Sequence, residues 1–260
     1  DLAGFTFSPD FSLAAFISMD GTIRIFETLS GELRSQWGIH AEVDRLAAIT
    51  VSASLDAVIV VLAGAPDGGS LVQVRELVTG EIRNSFPVAV SDAFFVAIAP
   101  QGDRMVLLSW DNGTAKVYNI ASGQLENELE RGSARAAALR FTTDGSRIVS
   151  RQWDGAAVLW DAVSGRVLFQ NFDPRSFELD NAIAKEPPIA TAISPAGNLV
   201  VERRRNSVSI VPVGAGARLP VRSVAGITRT VTQIEGVAFG TLLEFSPDAE
   251  WLTVGGFDGT

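Results

Sequence analysis

Apolar and polar positions alternate along much of the chain in short runs separated by small polar turns. In "GTIRIFETLSG", 21–31, Ile23, Ile25 and Leu29 are flanked by polar neighbours. In "QLENELE", 124–130, Leu125 and Leu129 alternate with Glu126, Glu128 and Glu130. A period of two predicts half-buried β-strands, and no helical period competes with it. The longest apolar run, "AVIVVLAGA" at 57–65, is strand-sized, well short of the roughly 18–20 residues that a membrane-spanning helix needs.

Three short turn phrases punctuate these strands in a fixed order. The first comprises Ser8-Pro9-Asp10, Ala99-Pro100-Gln101-Gly102, Thr142-Thr143-Asp144-Gly145, Ser194-Pro195-Ala196-Gly197 and Ser246-Pro247-Asp248. The second is tighter: Asp20-Gly21, Asp111-Asn112-Gly113, Asp154-Gly155 and Asp258-Gly259. The third is a small residue followed by glycine: Ser30-Gly31, Thr79-Gly80, Ser122-Gly123, Ser164-Gly165 and Ala215-Gly216, at steps of 42 to 51 residues. Asp-Gly and Asn-Gly steps supply the positive φ angles of two-residue hairpins. Each unit therefore reads as four antiparallel strands joined by three turns, and serial repetition of such a unit predicts an all-β propeller.

The clearest line is "RQWDGAAVLWDAVSGRVLFQ", 151–170, where Trp160-Asp161 stands five and four residues before Gly165. At the same offset lie Phe26-Glu27, Arg75-Glu76, Tyr118-Asn119 and Val211-Pro212. In the order and spacing of its turns the chain resembles the WD-repeat β-propeller family, although Trp-Asp itself occurs once. The resemblance covers nearly all 260 residues. It divides a single propeller into blades at approximately 1–43, 44–90, 91–133, 134–186, 187–236 and 237–260. Blade two is degenerate, with "GAPDGGS" at 64–70 as a lengthened hairpin, and "NFDPRSFELDNAIAKEPP" at 171–188 is an insertion. Asp258-Gly259-Thr260 falls where a third strand would begin, so the expectation is five and a half blades. The reading takes the chain as part of a longer polypeptide whose ring has seven blades or more.

Composition narrows the chemistry. At 47% hydrophobic the chain is too apolar for disorder and long enough for a large core. Absence of cysteine removes disulfides, thiolate nucleophiles and cysteine-bound zinc, and the single histidine leaves little for imidazole chemistry. A formal charge of −9 opposes nucleic-acid binding. His40, in "QWGIHAEVDRL", lies one residue out of register with the family's Gly-His step, and is read as structural or exposed. Asp20, Asp111, Asp154 and Asp258 occupy the tight turn, where a carboxylate bonding its own backbone is the usual filler. No zinc or calcium pattern appears, and no catalytic residue, metal or cofactor is assigned.

Just before the tight-turn acid stand Met19, Trp110, Trp153, Arg205 (before Asn206) and Phe257. The resemblance implies that this hairpin tip lies on one rim of the ring, at the mouth of its channel. Large side chains there either pack on a neighbouring blade or offer a binding surface rich in hot-spot types. Arg203, Arg204 and Arg205 form either a solvated hairpin or a contact for an anion or acidic segment through bidentate guanidinium bonds.

The expectation is a non-catalytic, cytoplasmic interaction or sensing module. Its partner would be a protein, a peptide or another domain of the same polypeptide, with neither nucleic acid nor membrane insertion involved. Prokaryotic members of the family, the resemblance implies, often restrain an attached effector domain until something binds. The rival readings are a hydrolase using Asp or Glu at the channel mouth, and small-ligand or anion recognition at Arg203–Arg205.

Overall fold

A computed structural model describes residues 2–39, 43–65, 67–110, 113–131, 136–152, 156–170, 190–204, 207–212, 242–245 and 252–255. Among them are 21 strands and one turn of 3₁₀ helix, Val43–Arg45. The first sheet is β1 (Leu2–Phe7), β2 (Leu13–Ser18), β3 (Thr22–Glu27) and β4 (Leu33–Gly38). The second is β5 (Leu46–Ser52), β6 (Ala57–Ala63), β7 (Ser70–Glu76) and β8 (Ile82–Val88). The third is β9 (Ala93–Ile98), β10 (Arg104–Ser109), β11 (Ala115–Asn119) and β12 (Leu125–Glu128). The fourth is β13 (Ala136–Phe141), β14 (Arg147–Gln152), β15 (Ala157–Asp161) and β16 (Val167–Gln170).

Three strands follow as one sheet, β17 (Ala190–Ile193), β18 (Leu199–Arg204) and β19 (Ser207–Pro212). Two form another, β20 (Leu242–Phe245) and β21 (Leu252–Gly255). Every sheet is a meander in which consecutive strands are neighbours. The fold class is thus all-β, built of the four-stranded antiparallel blades of a β-propeller.

The chain forms two compact units. One holds residues 1–129, 139–146 and 162–164; the other holds 130–138, 147–161 and 165–260. In the first unit, Leu13, Ala15, Ile17, Ile23 and Ile25 pack with Val58, Val60 and Leu62. The alternate residues of β6, Ala57, Ile59 and Val61, pack with Val96, Ile98, Met105 and Leu107. This strand is covered on both faces, which explains why 57–62 is continuously apolar while most strands alternate. The second unit has its own cluster of Val149, Ala157, Leu159, Phe169 and Val200.

The turn between third and fourth strands is built alike in all four complete sheets. Gly31, Gly80, Gly123 and Gly165 have φ of 70–74°. Each donates its N–H to the carbonyl four residues earlier, Glu27, Glu76, Asn119 and Asp161, at 2.8–2.9 Å. A register shift follows in each ladder, between Ile25/Phe26, Val74/Arg75, Val117/Tyr118 and Leu159/Trp160. Glycine adopts this left-handed conformation without a Cβ penalty.

In the first unit the same turn receives the fourth strand of the preceding sheet. Ser35 Oγ and Trp37 Nε1 donate to the carbonyl of Leu77 at 2.6 and 3.0 Å. Asn84 Nδ2 donates to the carbonyl of Ala121 at 3.2 Å. Asn127 Nδ2 does the same to Ala162 and Val163 at 3.0 and 3.1 Å. A Cβ at Gly80 would stand 2.4 Å from the Trp37 ring, and one at Gly123 2.6 Å from Phe86. These glycines serve twice, as turn formers and as seats for the neighbour's aromatic ring.

Two local expectations are corrected, and one turn is added. Leu29 is not an alternating strand position; it lies in the turn after β3 and is fully exposed. The "QLENELE" strand is shorter than its pattern, because β12 spans only Leu125–Glu128 and Leu129 turns inward, buried. The second sheet does possess the first turn, at Ser52–Asp56, where Ser52 Oγ accepts from the Leu55 N–H at 3.3 Å. Its left-handed residue is Asp56 (φ 48°), while Phe11 (φ 59°) fills that role in the first sheet. Neither position has the glycine that marks the turn in sequence.

Candidate functional site

The first strand of each sheet is terminal, so one row of its backbone N–H and C=O groups stands outside the ladder. In the first unit β5 lies against both β1 and β9. These three edges line a groove of about 490 Å³ together with Ile17, Met19 and Asp44. Its walls are mostly apolar, including Phe5, Ala48, Ile49 and Phe95.

All three edge strands carry a bulge at the same place. Leu2 pairs with Ser18 and Gly4 with Ile17, leaving Ala3 as the extra residue. Leu46 pairs with Leu62 and Ala48 with Val61, leaving Ala47. Ala93 pairs with Ser109 and Phe95 with Leu108, leaving Phe94. A bulge bends its strand and re-aims a side chain; here the three extra residues all line the groove.

Two of the five predicted rim residues are described, and both belong to this region. Met19, immediately after β2, is 66% exposed and lines the groove. Trp110, immediately after β10, is 53% exposed. Its ring meets Phe94 edge-on, with centroids 5.1 Å apart and planes at 88°, and its backbone N–H donates to the Asp92 carbonyl at 2.9 Å. The indole rests on its own blade and keeps an open face. Trp153, Arg205 and Phe257 lie outside the described residues, as does His40. Arg203 and Arg204 are on β18, where Arg203 pairs with Val208 and Arg204 with Ser207; only their backbone is described.

Among the tight-turn acids, Asp20 Oδ1 accepts from the Thr22 N–H at 2.9 Å. Asp67 repeats this with Gly69 at 3.1 Å in the longer hairpin of the second sheet. Asp111, Asp154 and Asp258 lie outside the described residues. Carboxyls with displaced acidity are turn-formers or surface ion pairs. Hydrogen bonds from Thr142 and Ser146 lower Asp144 from 3.8 to about 2. Burial pushes Asp10 up, but hydrogen bonds from Ser8 and Ser12 outweigh it and hold it low. Glu76 is lowered by hydrogen bonds from Arg83 and Thr79.

Sequence reasoning missed two contributors. Phe94 reads as an ordinary strand aromatic, and only the bulge turns it to the groove. Arg45 reads as a loop residue, yet its Nε donates to the Ala63 carbonyl at 2.9 Å and its Nη2 to Gly64 at 3.2 Å. Ala63 follows Leu62 as Met19 and Trp110 follow Ser18 and Ser109, but it stays in the ladder, paired with Ser70, and the second sheet's hairpin continues beyond it.

The fold and this edge-lined groove define a set of propeller blades. No protein-family model matches the chain. A segment of 71 residues is 32% identical to the small ribosomal subunit protein RACK1y of Oryza sativa subsp. japonica, covering 27% of this chain and 21% of that protein. A segment of 92 residues is 22% identical to TOPLESS-related protein 2 of the same organism, covering 35% of this chain and 8% of that protein. The matched segments therefore span about a fifth or less of these relatives. Together with the repeated four-stranded sheets, they fit a WD-repeat propeller.

Proposed function

We propose that this chain is a non-catalytic protein-interaction module that presents its hairpin tips to a partner protein or peptide, or to another domain of the same polypeptide. The observation that carries the reading is the pair of open apolar side chains, Met19 and Trp110, at equivalent tips beside a groove edged by free strand backbone. Large, stiff apolar side chains next to unsaturated backbone suit recognition of an extended segment. On this reading Trp153, Arg205 and Phe257 continue the rim from their own blades, and binding there relieves restraint on an attached effector domain. The similarity to a ribosomal-subunit protein and a TOPLESS-related protein supports the interaction role without naming a partner.

The test replaces Met19 and Trp110 by Ala, singly and together, and measures thermal stability alongside capture of binding partners. The reading expects near-native stability with lost capture. Lost stability with unchanged partners would show that both side chains serve packing instead.

A further inference from the structure

At the end of β3 and β7 opposite the tips, two hairpins repeat more than their fold requires. The stretches "ETLSGELRS", 27–35, and "ELVTGEIRN", 76–84, share Glu27/Glu76, Gly31/Gly80, Glu32/Glu81 and Arg34/Arg83, with like residues at Leu29/Val78, Ser30/Thr79 and Leu33/Ile82. Much of the match is structural. Gly31 and Gly80 take the left-handed backbone, and Ser30 Oγ and Thr79 Oγ1 accept from the backbone N–H of Glu32 and Glu81, both at 3.2 Å. Arg34 and Arg83 meet Glu27 and Glu76 at 3.9 and 3.0 Å. Both arginines also reach the first turn of the second sheet, Arg34 at the Asp56 carboxylate (3.4 Å) and Arg83 at the Leu55 carbonyl (2.9 Å). One turn thus anchors both hairpins.

The remaining positions have no such duty. Leu29 is fully exposed, and Leu33, Val78 and Ile82 are about half exposed. Glu32 and Glu81 are exposed, and neither carboxylate has a partner among the described residues. In the third sheet the same turn bond, from the Gln124 N–H to Ser122 Oγ at 3.3 Å, forms beside Ala121. The fourth sheet places Arg166 at the glutamate position. The turn therefore demands neither the acid nor a large aliphatic residue.

We infer that Leu29/Glu32/Leu33 and Val78/Glu81/Ile82 form one duplicated docking surface for a partner polypeptide that presents a lysine or arginine beside an apolar side chain, twice. The surface is separate from the tips, and the inference does not need the rim reading. The exposed aliphatic side chains supply area that a partner removes from water. The acids choose the partner. Arg34 and Arg83 are already paired, so the charge left over beside each aliphatic pair is negative, and the net charge of −9 has the same sign. That charge repels phosphate-bearing surfaces and draws a cationic segment into register. Duplication on neighbouring sheets lets two weak contacts act together, because the second forms at high effective concentration once the first has closed.

The experiment pans a random-peptide display library on the immobilised 260-residue chain. It then measures the selected peptides against Leu29→Ser, Val78→Ser, both together, the pair Glu32→Lys/Glu81→Lys, and the pair Met19→Ala/Trp110→Ala, each checked for native circular dichroism and thermal midpoint. The expected consensus is an apolar residue next to Lys or Arg, with affinity falling as salt rises. Each serine variant should weaken binding about fivefold, and the two together more than either. Glu32→Lys/Glu81→Lys should turn the preference from Lys or Arg to Asp or Glu. Should that pair fail to fold, Glu32→Gln/Glu81→Gln takes its place and should weaken binding, because the third sheet already carries Gln124 at this position. Unchanged affinity in either the serine pair or the glutamate pair overturns the inference, since the surface is defined by both. If the peptides are then lost in Met19→Ala/Trp110→Ala, the rim reading stands alone. Loss in the serine and glutamate pairs, with binding kept in Met19→Ala/Trp110→Ala, supports the hairpin surface without the rim. A library that yields no peptide above an unrelated immobilised protein overturns the inference.

Discussion

The turn after each third strand and the tip after each second strand sit on the same sheets but follow different rules. Across four sheets the former keeps its glycine, its φ, its backbone bond and its register shift. The tips differ: Met19 and Trp110 stand directly after their strands, while the second sheet pairs on to Ala63 and then makes a longer hairpin. Geometry is held where one sheet must seat against the next. Chemistry is free to vary where the chain meets its surroundings. A repeat protein thus carries its own internal comparison, and the difference points to the tips as the place where recognition is encoded.

The hardest blow to this contrast should come from the seats. Gly80→Val adds a β-branched side chain at φ 74° and drives its Cβ into the Trp37 ring; strain and overpacking together cost about 4 kcal/mol. Thermal unfolding should show a midpoint lowered by on the order of 10 °C. Gly31→Val meets nothing within 4 Å at its Cβ, so it should bear only the backbone strain, about 1–3 kcal/mol. Equal losses at Gly31 and Gly80 would remove the seating role.

A middle-sized effect is expected at the Leu77 carbonyl, which receives both Ser35 Oγ and Trp37 Nε1. Denaturant titration of Ser35→Ala, Trp37→Phe and the double variant forms a cycle. Each single change leaves one donor, whereas the double change strands the acceptor and should cost about 2 kcal/mol, more than the singles summed. Strict additivity would mean that the two bonds are independent.

At the tips the stability effect should be smaller. Trp110→Ala gives up an edge-on contact with Phe94, about 1 kcal/mol, so a much larger loss in thermal unfolding would place this residue with the seats. Smallest of all is the acid response of the first turns. Asp144 is lowered from 3.8 to about 2, so its stabilisation is fully present above about pH 4 and fades as pH falls toward 2. Wild type should therefore lose thermal midpoint more steeply than Asp144→Asn across that window.

Much of the fold is legible in the sequence because its turns need particular residues. Gly31, Gly80, Gly123 and Gly165 mark a left-handed backbone, and Ser8, Asp10, Thr142 and Asp144 close a first turn through their own hydroxyls and carboxylates. Legibility fails where another residue accepts the same backbone. Phe11 and Asp56 take a positive φ that sequence assigns to glycine, which hid the second sheet's first turn. Leu29 was miscast because an apolar residue in a turn looks like one more alternating position. The candidate site is half legible. Met19 and Trp110 stand out by type and spacing, but Ala3, Ala47 and Phe94 owe their placement to bulges, which leave no mark on side-chain pattern. Arg45 acts through main-chain carbonyls, an acceptor every residue owns.

The link between neighbouring sheets has a direction. In the described junctions of the first unit the fourth strand reaches forward, as Trp37 does to Gly80 and Phe86 to Gly123. Every described junction in the first unit is thus a plug of one design entering a socket of one design. A duplicated copy of such a module, spliced in tandem, would arrive with both halves of the joint already cut. The number of modules in a chain of this kind can therefore grow or shrink by whole units without any junction having to be reinvented.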